Sequence, residues 1–244
     1  MNNLNNDSIN EIISLIKDGN LELAQNKVKS LLFEFPSSDI LLNLMGTIFL
    51  KRKEYETAKS NFFEALKINP HFISAKLNLG SVYQNLGKNE EALNCLKEIT
   101  KINNTLPAVY NNMGFILYTQ NKYSEAIKEL NKAIELKKDY AEAFLNLGMV
   151  YLNLKKYEEA IKFFYQSLVH DNKLTSVYFY LGECYKNIDN INKALSYYAQ
   201  SNHEKTNSKI LECYFILNKK NEYQKLITSI SKKDPDSRRI AAIS

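Results

Sequence analysis

A chain of 244 residues, 45% of them hydrophobic and 24% charged, has the material for one or two ordinary domains or an extended array, and is too apolar to be disordered over most of its length. Only 7 glycines and 4 prolines argue against a turn-rich β fold. The net charge of +5 is mild, and the lysines fall at solvent positions of helices rather than in a basic stripe interleaved with aromatics, so nucleic acid is not an expected partner.

The amino terminus, MNNLNNDSINEIISLIKDGN, has neither a basic segment nor a continuous apolar run. No signal peptide is visible in it, and the cytoplasm is the expected compartment. A helical pattern follows in which one interval governs everything. The first unit, about 5–38, carries Ile12, Gly19, Ala24 and Pro36. The second, 39–72, contains the run ILLNLMGTIFL, too short to span a bilayer and interrupted by Asn43, then Ala58 and Pro70. The third, 73–106, has LNLG at 77–80 and Ala92; the fourth, 107–140, has NNMG at 111–114 and Ala126. LNLG returns at 145–148 in the fifth unit, 141–174, with Ala160, and the sixth, 175–208, has Gly182 and Ala194.

Gly46, Gly80, Gly114, Gly148 and Gly182 are thus 34 residues apart, and the alanines keep the same interval. A strict period of this length predicts a repeat architecture. Within each unit apolar residues recur at helical spacing in two stretches, A and B, with a turn such as Lys155–Lys156 between them. The Gly and Ala are expected where the helices cross closely, and Tyr83, Tyr151 and Tyr185 with Leu96, Leu130 and Phe164 to fill the space they leave. Pro36 and Pro70 are expected to stop a helix. After Ser208 the register is expected to fail, with Leu226 in the alanine position. Residues 209–244 read as a degenerate seventh unit with a capping helix.

These features resemble the tetratricopeptide repeat family. Counting a unit from Ala141 puts Phe144, Leu147, Gly148, Tyr151, Ala160 and Phe164 on six of the family's preferred positions, with Ser167 for the small residue near the end and Asn172 in place of proline. The resemblance implies an all-α fold, an α-solenoid of about six tandem 34-residue helix–turn–helix units with the degenerate end. It also implies a concave groove lined by helix A. Asn78, Asn112 and Asn146 would form one row of amides there, and Asn85, Asn153 and Asn187, with Lys51 and Thr119, a second. This is similar to the asparagine ladder of the superhelical repeats in protein O-linked glycosyltransferases and kinesin light chains. An amide both donates and accepts, so such rows could pair with the backbone of an extended peptide. Phe115, Tyr118, Phe179 and Tyr180 could add side-chain pockets or simply pack. The basic clamp with which chaperone-binding members hold a carboxylate is absent, and Glu142 and Glu183 would repel one.

No catalytic constellation is visible. His71, His170 and His203 lie in different units without ligand-spaced partners, so neither metal nor cofactor is expected. Cys95, Cys184 and Cys213 form no C-x-x-C and read as small buried residues in a reducing compartment. Glu90–Glu91 and Glu158–Glu159 fall in the first turn of helix B, where they complement the helix dipole. Residues 1–50 carry six acids against three bases, and 204–244 nine bases against five acids, a gradient that could orient an anionic partner. The expected function is a non-catalytic scaffold binding an extended peptide of unidentified origin. The alternative is the recognition region of a longer enzyme of the glycosyltransferase, sulfotransferase or iron-dependent oxygenase type, suggested by the terminal DSRRIAAIS. Self-association through the end helices is left open.

Overall fold

A computed structural model describes residues 5–233, and every regular element among them is a helix. The period seen in the sequence is visible first in the backbone. Gly19, Lys53, Gly87, Asn121, Lys155 and Asp189, spaced by 34, all have φ between 59° and 80°. Each of these left-handed residues ends a helix A. The amide three residues past the helix end reaches back across the last turn, as in Lys156 N to Tyr151 O at 2.9 Å, and satisfies a carbonyl that would otherwise be orphaned. Glycine adopts this conformation without cost at two of the six places. At Lys53 and Lys155 a β-carbon is held there by the packing on either side.

The chain forms two compact units, Met1–Ile116 and Leu117–Ser244. The first holds α1 (Asn6–Lys17), α2 (Leu21–Glu34), α3 (Asp39–Lys51), α4 (Tyr55–Ile68), α5 (Ile73–Asn85), α6 (Asn89–Ile102) and most of α7 (Pro107–Thr119). Pro107 is the first residue of α7, where its missing amide hydrogen is no loss. The second holds α8 (Tyr123–Leu136), α9 (Ala141–Asn153), α10 (Tyr157–His170), α11 (Ser176–Asn187), α12 (Ile191–Tyr198), α13 (Thr206–Ile216) and α14 (Lys220–Lys233). Consecutive helices pack in chain order from α1 to α6 in the first unit and from α8 to α14 in the second, so the apolar stripe of each is covered by a sequence neighbour.

Pro36 and Pro70 follow the ends of α2 and α4 by two residues. Yet α6, α8 and α10 stop at the equivalent place with Asn104, Lys138 and Asn172 where the proline would be. Proline reinforces a stop that the packing already imposes.

The repeated alanines, from Ala24 to Ala194, are fully buried. The glycines divide into two kinds. A β-carbon on Gly46 would lie 2.6 Å from the ring of Phe62, and on Gly148 or Gly182 equally inside the rings of Phe164 and Tyr198. Those three rings are fully buried and cannot withdraw. At Gly80 the nearest atom would be Cβ of Cys95 at 3.7 Å, an ordinary contact, because Leu96 stands where Phe62, Phe164 and Tyr198 stand in three other units. The expectation of a close helix crossing therefore holds at Gly46, Gly148 and Gly182, and its cause is the ring sixteen residues later.

The register is lost earlier than the sequence suggests. Helix α12 ends at Tyr198, six residues before the place where its counterparts end, and α13 already begins at Thr206. The next left-handed residue is Asn218, five residues early. Counting from it, Tyr223 rather than Leu226 takes the alanine position. The expected capping helix beyond residue 233 lies outside the described residues.

Opposite responses are expected at the two kinds of glycine. Gly148→Ala should lower stability by about 1–3 kcal/mol through overpacking. Gly80→Ala should raise it by up to about 1 kcal/mol through helix propensity. Urea unfolding midpoints of the two variants would reveal it, and a shift of the same sign in both would refute the assignment.

Candidate functional site

At 100° per residue, α5 presents Ser74, Leu77, Asn78, Ser81 and Asn85 on one side and Lys76, Leu79 and Tyr83 on the other. The second set faces α4 and α6. The first set shares a side with Asn43 and Thr47 of α3.

Asn78 is half-buried there. Its Nδ2 donates to Oδ1 of Asn43 at 3.0 Å and to Oγ1 of Thr47 at 3.2 Å, and the Thr47 hydroxyl donates to the carbonyl of Asn43 at 2.8 Å. Both amide hydrogens of Asn78 are thereby engaged and Oδ1 is aimed by two neighbours on α3. Asn43 is only 8% exposed, so this is a polar contact built into the packing. Asn112, on α7, and Asn146, on α9, are half-buried at the equivalent places.

The second row has a different character. Asn85, Asn153 and Asn187 are exposed at the ends of α5, α9 and α11, and each donates to the carbonyl four residues earlier, at 2.8, 3.0 and 2.8 Å. Tyr55 donates its hydroxyl to Asn85 Oδ1 at 3.1 Å, and Tyr157 to Asn187 Oδ1 at 3.2 Å, both thirty residues apart in sequence. Asn153 donates its second hydrogen to the Tyr118 hydroxyl at 2.8 Å. Asn85 and Asn187 tie the first residue of one helix B to the last of the following helix A, whereas Asn153 joins two successive helices A, α7 and α9. The recurrence of Tyr at 55 and 157 is the sequence signal for this contact, while Tyr123 at the same position donates to Asn121 instead.

In the second unit the inner face is aromatic and charged. Tyr180 stacks on Phe164 with centroids 5.6 Å apart, and Phe179 stacks on His203 at 3.9 Å. His170 lies against Phe144 at 5.3 Å, so two of the histidines pack on rings. Glu183 accepts a 2.5 Å hydrogen bond from the buried Tyr198 hydroxyl and lies 3.8 Å from Nζ of Lys209. Glu212 pairs with both Lys186 and Lys209. Burial and the hydrogen bond to Glu183 hold the Tyr198 phenol far above its ordinary range. Burial alone would raise the Glu212 carboxyl, but the two ammonium groups outweigh it and leave it below its usual value. Two acids and two bases thus compensate each other where sequence reading expected a repulsive Glu183.

Chemistry at the cysteines is suppressed. Burial, with Glu183 and Glu158 nearby, pushes the Cys184 thiol up to about 12, and burial with Glu98 pushes Cys95 up to about 11. Cys184 and Cys213 are buried as expected, but Cys95 is only partly so and lines a cleft. Among the described residues no group of His, Cys, Asp and Glu could hold a metal ion, and no helix is long and apolar enough to cross a membrane.

Paired helices of nearly constant length as far as α11, packed on their sequence neighbours, define an all-α repeat protein of the α-solenoid class. Signatures of the tetratricopeptide repeat match residues 49–111, 116–155, 141–173 and 176–201, and the chain belongs to the tetratricopeptide repeat family. Anaphase-promoting complex subunit CDC16 of Saccharomyces cerevisiae is 33% identical over 69 residues, which are 25% of this chain and only 8% of that protein. Among solved structures, PilF of Pseudomonas aeruginosa matches with a TM-score of 0.69 at 22% identity, covering 81% of this chain and 92% of that one. PilW, a type IV pilus biogenesis factor, matches at 0.75 and 17% identity over 84% and 97% of the two chains. The Cut9–Hcn1 hetero-tetramer of the anaphase-promoting complex matches at 0.78 and 17% over 96% of this chain and 47% of that one. At these identities the likeness establishes the fold.

Two measurements test the site chemistry. Tyr157→Phe removes the hydroxyl donated to Asn187 and should cost about 0.5–1.5 kcal/mol in urea unfolding, with Asn187→Ala adding little to it. For the thiols, the folded pKa lies above the unfolded one. Their contribution to stability is then complete below about 9 and fades as pH rises toward the folded values of about 11 and 12. At pH 8.5 iodoacetamide should modify Cys184 only after urea is added; rapid labelling of the native chain would contradict the burial.

Proposed function

We propose that this chain is a non-catalytic protein-interaction scaffold whose helix-A faces bind an extended segment of a partner protein. The observation that carries the reading is the oriented amide of Asn78. Its hydrogens are held by Asn43 and Thr47, which leaves Oδ1 as a fixed acceptor for a peptide N–H. Apart from Lys51, the inner faces of α3 and α5 present no charge, which suits recognition of backbone rather than of charged side chains. In this reading six units, about 5–38, 39–72, 73–106, 107–140, 141–174 and 175–208, present the surface, and 209–244 closes the array. Asn112 and Asn146 repeat the role of Asn78. Asn85, Asn153 and Asn187 contribute through the capacity their internal bonds leave free, so they are the weaker contacts.

Membership of the tetratricopeptide family supports an interaction role, as do relatives named for a multi-subunit complex and for pilus biogenesis. Binding of the chain to an array of extended peptides, followed by titration of the best hits, tests the reading. Asn78→Leu should weaken binding by about tenfold, the loss of roughly one well-made hydrogen bond at 1.4 kcal/mol per decade. It should do so across peptides of different sequence, because the contact is to backbone. Unaltered affinity in a variant with Asn78, Asn112 and Asn146 all replaced by Leu would end the proposal.

A further inference from the structure

Two places in the chain are equivalent by repeat position and filled in opposite ways. In the second unit, between α10, α11 and α12, Tyr165, Tyr178, Tyr185 and Tyr197 close the space between successive helix pairs. Tyr185 and Tyr197 stack with centroids 5.3 Å apart and an interplanar angle of 11°, and Tyr178 stacks on Tyr197 at 6.4 Å. The Tyr165 hydroxyl is 3.2 Å from that of Tyr185 and 2.5 Å from that of Tyr197. Lys193 lies 4.2 Å from the centroid of the Tyr185 ring and donates to its hydroxyl at 2.8 Å. One repeat earlier Tyr151 and Phe163 form the same stacked pair at 5.0 Å.

Three repeats before the tyrosine cluster, in the first unit, the same positions are Phe63, Lys76, Tyr83, Glu91 and Cys95. Tyr83 occupies the place of Tyr185, but its stacking position holds the small Cys95 and its cation position holds Glu91. The result is a cleft of about 350 Å³ between α4, α5 and α6, open to solvent. Phe63 on its wall is 42% exposed. Lys76, where Tyr178 stands in the other cluster, is turned to pair with Glu98, and Glu91 has no counterpart base at the rim.

We propose that this cleft is a docking site for an aromatic side chain flanked by Lys or Arg on a partner polypeptide. The ring takes the space that Tyr197 fills in the second unit and stacks on Tyr83. The neighbouring cation meets Glu91, which reverses the charge of Lys193 and so asks the partner for what the second unit supplies from its own chain. Apolar walls with an acidic rim fit this occupant and disfavour an aromatic residue next to an acid. The cleft lies on the side of α5 away from Asn78, so it is a second surface that does not depend on the amide groove.

The test is an NMR titration of the full chain with the peptides acetyl-Ala-Lys-Tyr-Ala-amide and acetyl-Ala-Glu-Tyr-Ala-amide. The lysine peptide should shift the amides of Gly80, Tyr83 and Cys95 and bind at least about threefold more tightly than the glutamate peptide, the size of an exposed charge pair. Glu91→Lys, an exposed change that gives up only the helix-dipole contribution of this carboxylate, should reverse that preference. Cys95→Tyr, or Lys76→Tyr if the first does not fold, should fill the cleft and abolish the shifts. Asn78→Leu should leave the titration unaltered, which separates this site from the groove. Absence of shifts at those three amides, equal binding of the two peptides, or full binding by the filled variants would each overturn the proposal.

Discussion

The contact on which the architecture rests is between a ring on helix B and the glycine sixteen residues before it on helix A. The rings of Phe62, Phe164 and Tyr198 sit where a β-carbon on Gly46, Gly148 or Gly182 would have to be. That contact sets how near the two helices of a unit can come and therefore where the small alanine of helix B must lie. With the left-handed residue fixing the turn, the geometry of one unit repeats, and the apolar stripe left over on each pair is met by the next. Nothing in a single unit could bury that stripe alone. The fold is thus a consequence of small residues recurring in phase, with a ring against the glycine in three units and leucine in its place at Leu96 and Leu130.

This explains what was legible in the sequence. The interval between the glycines, the alanines and the prolines is a property of letters, and it determined the element type, the element lengths and their order before any geometry was seen. The left-handed residue was less visible because four different residue types occupy it, only one of which favours the conformation. Lys53 and Lys155 are held there by tertiary packing that overrides their own preference. The shortening of α12 was less plain: Ala194 and Ile191 keep the register, and the break is marked only after Tyr198, where AQSNHEKTNSK lacks the apolar residues that Leu168 and Val169 supply one repeat earlier. A strict count of 34 from Ala194 reaches Thr228, and the shortened unit moves the alanine position forward to Tyr223, so Leu226 fits neither register.

The candidate site was half legible. That Asn78, Asn112 and Asn146 share a face follows from spacing alone. That Asn78 is held by Asn43 and Thr47 does not, because it needs the register between α3 and α5, a distance in space between residues 31 and 35 apart in sequence. The same limit applies to the tyrosine hydroxyls on Asn85 and Asn187. Their effect is to separate two rows that look alike as letters: one amide is aimed by side chains and left with an acceptor free, while the others are partly used in holding one helix pair to the next. A row of identical residues in a repeat protein is therefore no guarantee of identical duty.

The same reasoning gives the repeat its functional meaning. In a structure where each unit must satisfy the same packing contacts, departures at equivalent positions are what distinguish one unit from another. Leu96 in place of a ring relieves Gly80, and Cys95 in place of a ring opens the cleft beside Tyr83, so both departures occur on one turn of α6. The second unit fills the equivalent volume with four tyrosines and a lysine from its own chain. An array that used its full complement of rings everywhere would gain packing and lose that opening. The first unit keeps its helices, its alanine and its ion pair between Lys76 and Glu98, and gives up only the atoms that would have occupied the cleft. The packing that defines the family is preserved by the alanines and glycines, whereas recognition is free to reside in the positions that the packing does not dictate.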